Sequence, residues 1–214
     1  MNRIFTAVIC ILLLNLSCRK QVKSEVEVYN NNFQGGNLSG FTNGIISQYN
    51  SNAVLGQYHN QNVSLKIADL PKHDIVTITF DLYIHDGWDG NKPSPLGPDL
   101  WEMQVDGDTY INASFSNDTC LPGNFCSPQS YPLNYPNNYS NPKKGAFKTD
   151  LPGFCSVVSN PDSTSLYKIA KTFKHSNNTL IMQYAGKLML PSSLAPECSE
   201  SWSVDNIIIK AITL

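Results

Sequence analysis

The fold is decided by residues 75–84, whose sequence is IVTITFDLYI. Apolar side chains occupy every second position of this stretch, and polar or tyrosine side chains fill most positions between them. Because successive side chains of a β-strand point to opposite faces, this period of two predicts a strand with one buried face. The predicted buried face consists of Val76, Ile78, Phe80, Leu82 and Ile84.

The same period recurs on both sides of this stretch. Beyond the first 25 residues, no segment has the apolar stripe and capping residues that predict a helix. About nine strands without helices predict an all-β fold, a two-sheet antiparallel sandwich of the jelly-roll type. The other predicted strands are 26–29, 44–49, 62–67, 99–105, 109–115, 165–174, 179–185 and 203–213.

One long segment, residues 116–164, lacks the alternation and is rich in Pro, Asn and Gly. Loops of this length are uncommon in a compact domain unless they are functional or disordered. Three of the chain's last four cysteines lie in it, which favours an ordered, disulfide-stapled loop. Among the three possible pairings we favour Cys120–Cys126 with Cys155–Cys198. A zinc site is the alternative, although no Cys-x-x-Cys spacing supports it.

The N-terminus predicts export. Arg3 precedes a largely apolar run at 4–14, and Ser17 and Cys18 follow it. A positive residue, a short apolar core and a small residue before the cleavage point describe a secretory signal peptide, here residues 1–17. About a dozen apolar residues are too few to span a hydrocarbon core of ~30 Å as a helix.

The end of this segment resembles the bacterial lipobox, in which small residues precede a lipidated cysteine. Ser17 and Cys18 match that pattern better than the two residues before them do. The resemblance implies that Cys18 carries the acyl anchor, such as palmitate, of a bacterial lipoprotein at the outer membrane or cell surface. A tether at 18–25 then leads to one β-sandwich domain at 26–214. Ordinary secretory cleavage nearby is the alternative.

Charge excludes one class of partner. The formal net charge is −2 and charged residues make up 15% of the chain. No basic field is present to hold the phosphates of a nucleic acid. We therefore expect no nucleic-acid partner.

Three segments resemble extracellular jelly-roll modules, a group that includes MAM-type, reelin-repeat-like and concanavalin-like lectin domains. They are VTITFDLYIHDGWDGN at 76–91, GPDLWEMQVDG at 97–107 and ESWSVDNI at 200–207. The early NFQGG at 32–36 is similar to the opening of the first strand in that group. The resemblance covers most of the mature domain and implies fold more strongly than function.

The resemblance also implies a structural calcium ion. In these modules an opening acid and a closing aspartate share the ion, and Asp205 matches the closing position. The opening position holds neutral Gln34, so Asn32 and backbone carbonyls would have to supply the missing oxygens. Alternatively, Asp205 only caps the turn into the last strand, and Trp202 fills the core.

A second candidate for calcium binding is the oxygen-rich loop that follows the predicted strand at 75–84. Asp86, Asp89 and Asn91 lie in it, and Asp99 could join them. Their spacing is not that of an EF-hand, which has a longer loop and a distal glutamate. Its Asp-Gly and Gly-Asn pairs are equally typical of a hairpin turn.

Four aromatic residues are candidates for ligand binding. Trp88, at the tip of that loop, is either a plug over the end of the sandwich or a platform for a ligand. Tyr131, Tyr135 and Tyr139 recur every four residues, and the intervening prolines exclude a helical stripe. Stiffened tyrosines with asparagines between them suit a flat amphipathic binding surface. Packing of these rings against the sheet is the alternative.

The sequence contains no recognisable catalytic motif. It has no His-Glu-x-x-His, no Gly-x-Ser-x-Gly and no strand that carries paired glutamates. The predicted function is a lipid-anchored extracytoplasmic binding module for carbohydrate or another extracellular ligand such as a protein, with calcium as a candidate stabiliser. The alternative is a glycan-active enzyme, a jelly-roll hydrolase or lyase with an unfamiliar site.

Overall fold

A computed structural model describes residues 21–117, 120, 123, 125–155, 163–189 and 196–214. The predicted signal peptide at 1–17 and the predicted lipidation at Cys18 lie outside the described residues. No helix within the described ranges is long and apolar enough to cross a bilayer.

Regular structure in the described residues consists of twelve strands and one short helix. The strands are β1 (Ser24–Asn31), β2 (Phe41–Thr42), β3 (Ile46–Tyr49), β4 (Asn52–Tyr58), β5 (Asn62–Ile67), β6 (Ile75–Asp86), β7 (Leu100–Val105), β8 (Asp108–Ser114), β9 (Lys148–Leu151), β10 (Thr164–Lys174), β11 (Leu180–Lys187) and β12 (Glu200–Thr213), and the helix is α1 (Pro196–Ser199).

The strands form two antiparallel sheets, which confirms the predicted sandwich. The first sheet has the order β3–β4–β12–β6–β10–β9, and β1 pairs with β12 beyond the end of β4. The second sheet has the order β2–β5–β11–β7–β8. The long strand β12 accommodates β4 and then β1 along one edge, and its register with β6 shifts between Asp205 and Ile208.

The deciding strand, β6, lies in the middle of the first sheet between β12 and β10. All five side chains of its predicted inner face are buried. Across the core, Trp101 of the second sheet stacks on Tyr184 with 5.3 Å between ring centroids and meets Trp202 edge-on at 6.0 Å. Burying each large apolar side chain contributes about 1.5–3 kcal/mol, so this inter-sheet layer holds the two sheets together.

The sequence did not predict β4, and the reason is its burial. Ala53, Val54 and Leu55 are consecutive and all buried, since this strand lies between two others and is covered on both faces. A strand buried on both sides loses the alternation by which strands are recognised. Strands β2 and β9 and helix α1 are two to four residues long, too short for any period. Strand β1 begins at Ser24, inside the predicted tether at 18–25.

Both predicted disulfides are present. Cys120 pairs with Cys126 and Cys155 with Cys198, with Cα–Cα distances of 5.5 and 5.2 Å. The zinc alternative is therefore wrong for these four cysteines. Two disulfides are typical of proteins that fold in an oxidising compartment outside the cytoplasm.

Candidate functional site

Three carboxylates meet at the end of the sandwich where β6 finishes and β7 and β12 begin. One oxygen each of Asp89, Asp99 and Glu200 lies within 4.8 Å of the other two. Within the ranges that the structure describes, this is the one group of three His, Cys, Asp or Glu side chains with such spacing. We call these three residues the acid cluster.

Local backbone geometry positions the first two acids. Asp89 donates its N–H to Oδ2 of Asp99 at 2.5 Å, and Asp99 donates its N–H to the carbonyl of Gly90 at 3.0 Å. Gly90 has a φ of +63°, and a Cβ there would lie 2.3 Å from the carbonyl oxygen of Pro128. Only glycine fits such a position without a shift of the backbone.

The third acid comes from β12, the neighbour of β6 in the first sheet. Glu200 is the first residue of β12, on the same inward face as Trp202 and Val204, and it is 1% exposed. Its Oε2 is buried and has no hydrogen-bond partner among the residues that the structure describes. Burial, together with the nearby charges of Asp99 and Asp89, raises the pKa of Glu200 to about 9 against the opposing effect of Lys92.

Asp99 is enclosed in the same way. Its Oδ1 accepts the N–H of Met189 at 3.0 Å, and the side chain is fully buried. Burial raises its pKa to about 6 against the opposing effect of these hydrogen bonds. Lys92 supplies one positive charge to the cluster, with Nζ 2.5 Å from Oδ1 of Asp89. Because Asp99 and Glu200 are enclosed, a polysaccharide chain cannot reach them in this conformation, which disfavours their use as a glycosidase pair.

Asp86 and Asn91 were predicted to join Asp89 and Asp99, but their side chains bind elsewhere. Asp86 turns the other way, and its Oδ2 accepts the N–H of Phe154 at 3.2 Å. Asn91 is hydrogen-bonded to Ser114 and to the carbonyl of Asn138. Of the four predicted ligands, the structure thus groups Asp89 with Asp99, while the side chains of Asp86 and Asn91 hydrogen-bond to neighbouring loops.

The other predicted calcium site involves Gln34 and Asp205. Gln34 lies near the edge of the first sheet, and Asp205 lies on its outer face. The side-chain amide of Gln34 donates to the carbonyl of Ala53 and accepts the N–H of the same residue. Oδ1 of Asn32 accepts the N–H of Gln34. Asp205 accepts the N–H of Asn206, and burial raises its pKa to about 6. Calcium at these residues stays a prediction.

Trp88 is a plug, and its predicted role as a ligand platform is wrong. Its ring is fully buried, its Nε1 donates to the carbonyl of Ser201 at 2.8 Å, and it meets Phe115 edge-on. No ring face is left for a ligand. The reversal of the chain at Asp86, where φ is +64°, directs the indole back over the core.

The three tyrosines divide into one packing residue and two that are accessible. Tyr131 stacks on Phe115 at 4.9 Å and meets Tyr167 at 5.1 Å, so it packs the loop onto the sandwich and is not a platform. Tyr135 is partly exposed, and Tyr139 is 75% exposed. We call residues 128–146 the tyrosine loop.

The tyrosine loop is held in place by buried side-chain hydrogen bonds. Gln129 is fully buried, and its Oε1 accepts the N–H groups of Ser116 and Lys143. Ser114 and Ser130 exchange backbone-to-hydroxyl hydrogen bonds of 2.8 and 2.7 Å. These contacts fasten the loop to the connection after β8 and order it without regular secondary structure.

The loop borders a polar row on the outer face of the second sheet. The N–H of Tyr135 donates to the carbonyl of Asn112 at 2.7 Å. Oδ1 of Asn112 is buried and has no hydrogen-bond partner within the described ranges. Glu102 of β7 is paired directly with Asn112 of β8. It accepts one hydrogen bond from Gln104 and one, at 2.6 Å, from Lys187. This row was not predicted from the sequence, although Glu102 and Gln104 alternate with the apolar Trp101, Met103 and Val105.

Comparison with known proteins gives only weak similarity. No protein-family model and no curated protein matches the chain. Among solved structures, the chain is similar to part of dimeric latent PorU from Porphyromonas gingivalis, at 7% identity and a TM-score of 0.45, over 91% of this chain and 14% of that one.

Two smaller domains are also similar. One is a native family 35 carbohydrate binding module from Clostridium thermocellum, at 10% identity and a TM-score of 0.34 over 87% of this chain and 97% of that chain. The other is the K3 cleaved adhesin domain of Lys-gingipain from Porphyromonas gingivalis, at 13% identity and a TM-score of 0.38 over 87% and 100% of the two chains. At these values no ligand is transferable to this chain.

Proposed function

We propose that this protein is a lipid-anchored extracytoplasmic module that binds glycans on the tyrosine loop and the adjoining polar row. The observation that carries the proposal is an ordered loop that leaves Tyr139 75% exposed and Tyr135 partly exposed beside the polar row.

The loop has the physical properties that sugar binding requires. Tyrosine rings offer apolar area to the C–H face of a sugar at a low cost in side-chain entropy. Buried hydrogen bonds of Gln129 already order the backbone, so little conformational freedom would be lost on binding.

The polar row would supply the directional contacts. Glu102 and Lys187 add an acceptor and a donor in adjacent register. A few polar groups beside an aromatic face are the usual composition of a specific small-ligand site.

Export and anchoring rest on sequence and on cysteine chemistry. The signal-like N-terminus ends at Ser17-Cys18, and the two disulfides are typical of an oxidising compartment. Cys18→Ala should move the protein from the membrane to the soluble fraction, or leave an unprocessed precursor, and abolish acyl labelling. Unchanged fractionation and labelling would contradict the anchor.

Glycan binding is tested with single ring deletions. Tyr139→Ala and Tyr135→Ala should each weaken binding to a glycan identified on an array by about tenfold, since each lost stacking contact is worth on the order of 1 kcal/mol or more. Phe147→Ala is the matched control, because Phe147 is 60% exposed but its N–H donates to Leu166 of the first sheet.

Affinity and melting temperature are measured on the same samples. The proposal expects lost affinity at a melting temperature within about 2 °C of wild type for Tyr139→Ala. It fails if the wild-type protein binds no glycan on the array, or if the control weakens binding as much as the tyrosine variants do.

A further inference from the structure

We propose that the acid cluster of Asp89, Asp99 and Glu200 is a binding site for a hard divalent cation, calcium by its chemistry, that ties the two sheets together. The cluster is enclosed at the end of the sandwich and is separate from the tyrosine loop surface. The inference goes beyond glycan binding and stands or falls without it.

The observation that points to a ligand is the state of Glu200. Its side chain is 1% exposed and aimed into the cluster, with one oxygen within 4.8 Å of oxygens of both aspartates. Its Oε2 has no hydrogen-bond partner in the described part of the chain. Buried carboxylate oxygens are almost always paired, because a bare one loses its hydration without replacement. A cation in the cluster would supply that missing partner.

Charge balance supports the same conclusion. The cluster holds three carboxylates, and Lys92 contributes one positive charge through Asp89. With all three carboxylates ionised, two negative charges remain, which a divalent cation would cancel. Like charges this close destabilise one another strongly unless they are neutralised.

The donor set selects the kind of ion. Every side chain in the cluster offers oxygen, and neither histidine nor cysteine contributes to it. Oxygen-only sets suit calcium, magnesium or manganese and disfavour zinc and copper. Calcium takes six to eight oxygens at flexible distances, which bidentate carboxylates and water can provide here.

The position of the cluster indicates what the ion would do. Asp99 immediately precedes β7 of the second sheet, and Glu200 opens β12 of the first. An ion bound to both would join the sheets across the core, two residues beyond the disulfide at Cys198. We infer a structural brace and no catalytic role.

The proposal is tested by calcium titration of the purified protein after treatment with EDTA. Calcium at about 100-fold above its Kd should raise the melting temperature of wild type by about 5–10 °C, and calorimetry should show one site. Glu200→Gln and Asp89→Asn should each weaken calcium binding by at least about tenfold. Lys92→Met should tighten it by up to about fivefold, because an ion pair with Asp89 no longer competes.

Asp86→Asn is the matched control. Asp86 is a buried carboxylate at the same end of the sandwich, but its Oδ2 accepts the N–H of Phe154 outside the cluster. Asparagine keeps that acceptor, so the control should retain the calcium response of wild type.

Two results overturn the proposal. One is a wild-type protein whose melting temperature and heat signal do not respond to millimolar calcium, magnesium or manganese, which would mean that Glu200 is simply protonated. The other is a calcium affinity that stays within twofold of wild type in Asp89→Asn, a partly exposed position that should fold even if Glu200→Gln does not.

Discussion

His85 makes the stability of this protein depend on pH in a direction that can be calculated. The imidazole is fully buried at the end of β6, hydrogen-bonded to the hydroxyls of Thr164 at 3.0 Å and Ser203 at 2.7 Å. Aromatic rings of Tyr49 and Phe154 cover it at 4.6 and 5.1 Å. Burial lowers the pKa of His85 to about 3.

The sign follows from proton uptake in the two states. In the unfolded chain a histidine has a pKa of about 6.5, so it binds a proton as the pH falls through that value. Folded His85 stays neutral until the pH approaches 3. The full stability is therefore present above pH 6.5 and is lost progressively between pH 6.5 and pH 3.

The magnitude comes from the same shift. A pH of 5 lies about one and a half units below the pKa of the unfolded histidine, and each unit is worth about 1.4 kcal/mol. The free energy of unfolding that depends on His85 is therefore about 2 kcal/mol lower at pH 5 than at pH 7. His85→Gln keeps a donor and an acceptor for the two hydroxyls but does not titrate. Titrating groups that lie far from His85 contribute equally to both proteins and cancel in the difference.

The assay is urea unfolding of wild type and His85→Gln at pH 7 and pH 5. The free energy of unfolding of wild type relative to the variant should fall by about 2 kcal/mol between the two pH values. A difference that stays constant within about 0.5 kcal/mol would refute the argument, because it would mean that folded His85 accepts a proton as readily as the unfolded chain does.

Three further predictions concern packing and cross-links. Replacing Cys155 and Cys198 with serine should cost about 4 kcal/mol in urea unfolding, since their disulfide closes a loop with a sequence separation of 43. Gly186→Ala should destabilise the protein by about 1–3 kcal/mol in the same assay, because a Cβ there would lie 2.2 Å from a backbone oxygen. Gly35→Ala is the control and should change the free energy of unfolding by less than about 0.5 kcal/mol, because a Cβ there meets open space. Trp88→Ala should lower the free energy of unfolding by about 3–5 kcal/mol, and a melting temperature equal to that of wild type would contradict its role as a plug.

Part of the acid cluster could be predicted from the sequence, because the residues that mark it lie close together in the chain. The Asp-rich turn after β6 and the start of β7 indicated an oxygen-rich region, and the structure does bring Asp89 and Asp99 together. Glu200 was missed, although it shares the inward face of β12 with Trp202. A carboxylate on the buried face of a strand is the signal that could have found it. Which side chains of the turn enter the cluster depends on backbone dihedrals such as that of Asp86, which no pattern of residue types records.

The sequence by itself determined the sandwich, the inner face of β6 and the expectation of disulfides, because strand period and cysteine chemistry act over a few residues or through composition. Only the tertiary structure decided that Trp88 fills the core while Tyr139 faces solvent, and that Glu200 meets two aspartates more than a hundred positions earlier in the chain. These outcomes depend on which strands become neighbours, and on the register between them. Both are set by the packing of the two sheets as a whole, so they leave no local trace in the order of the residues.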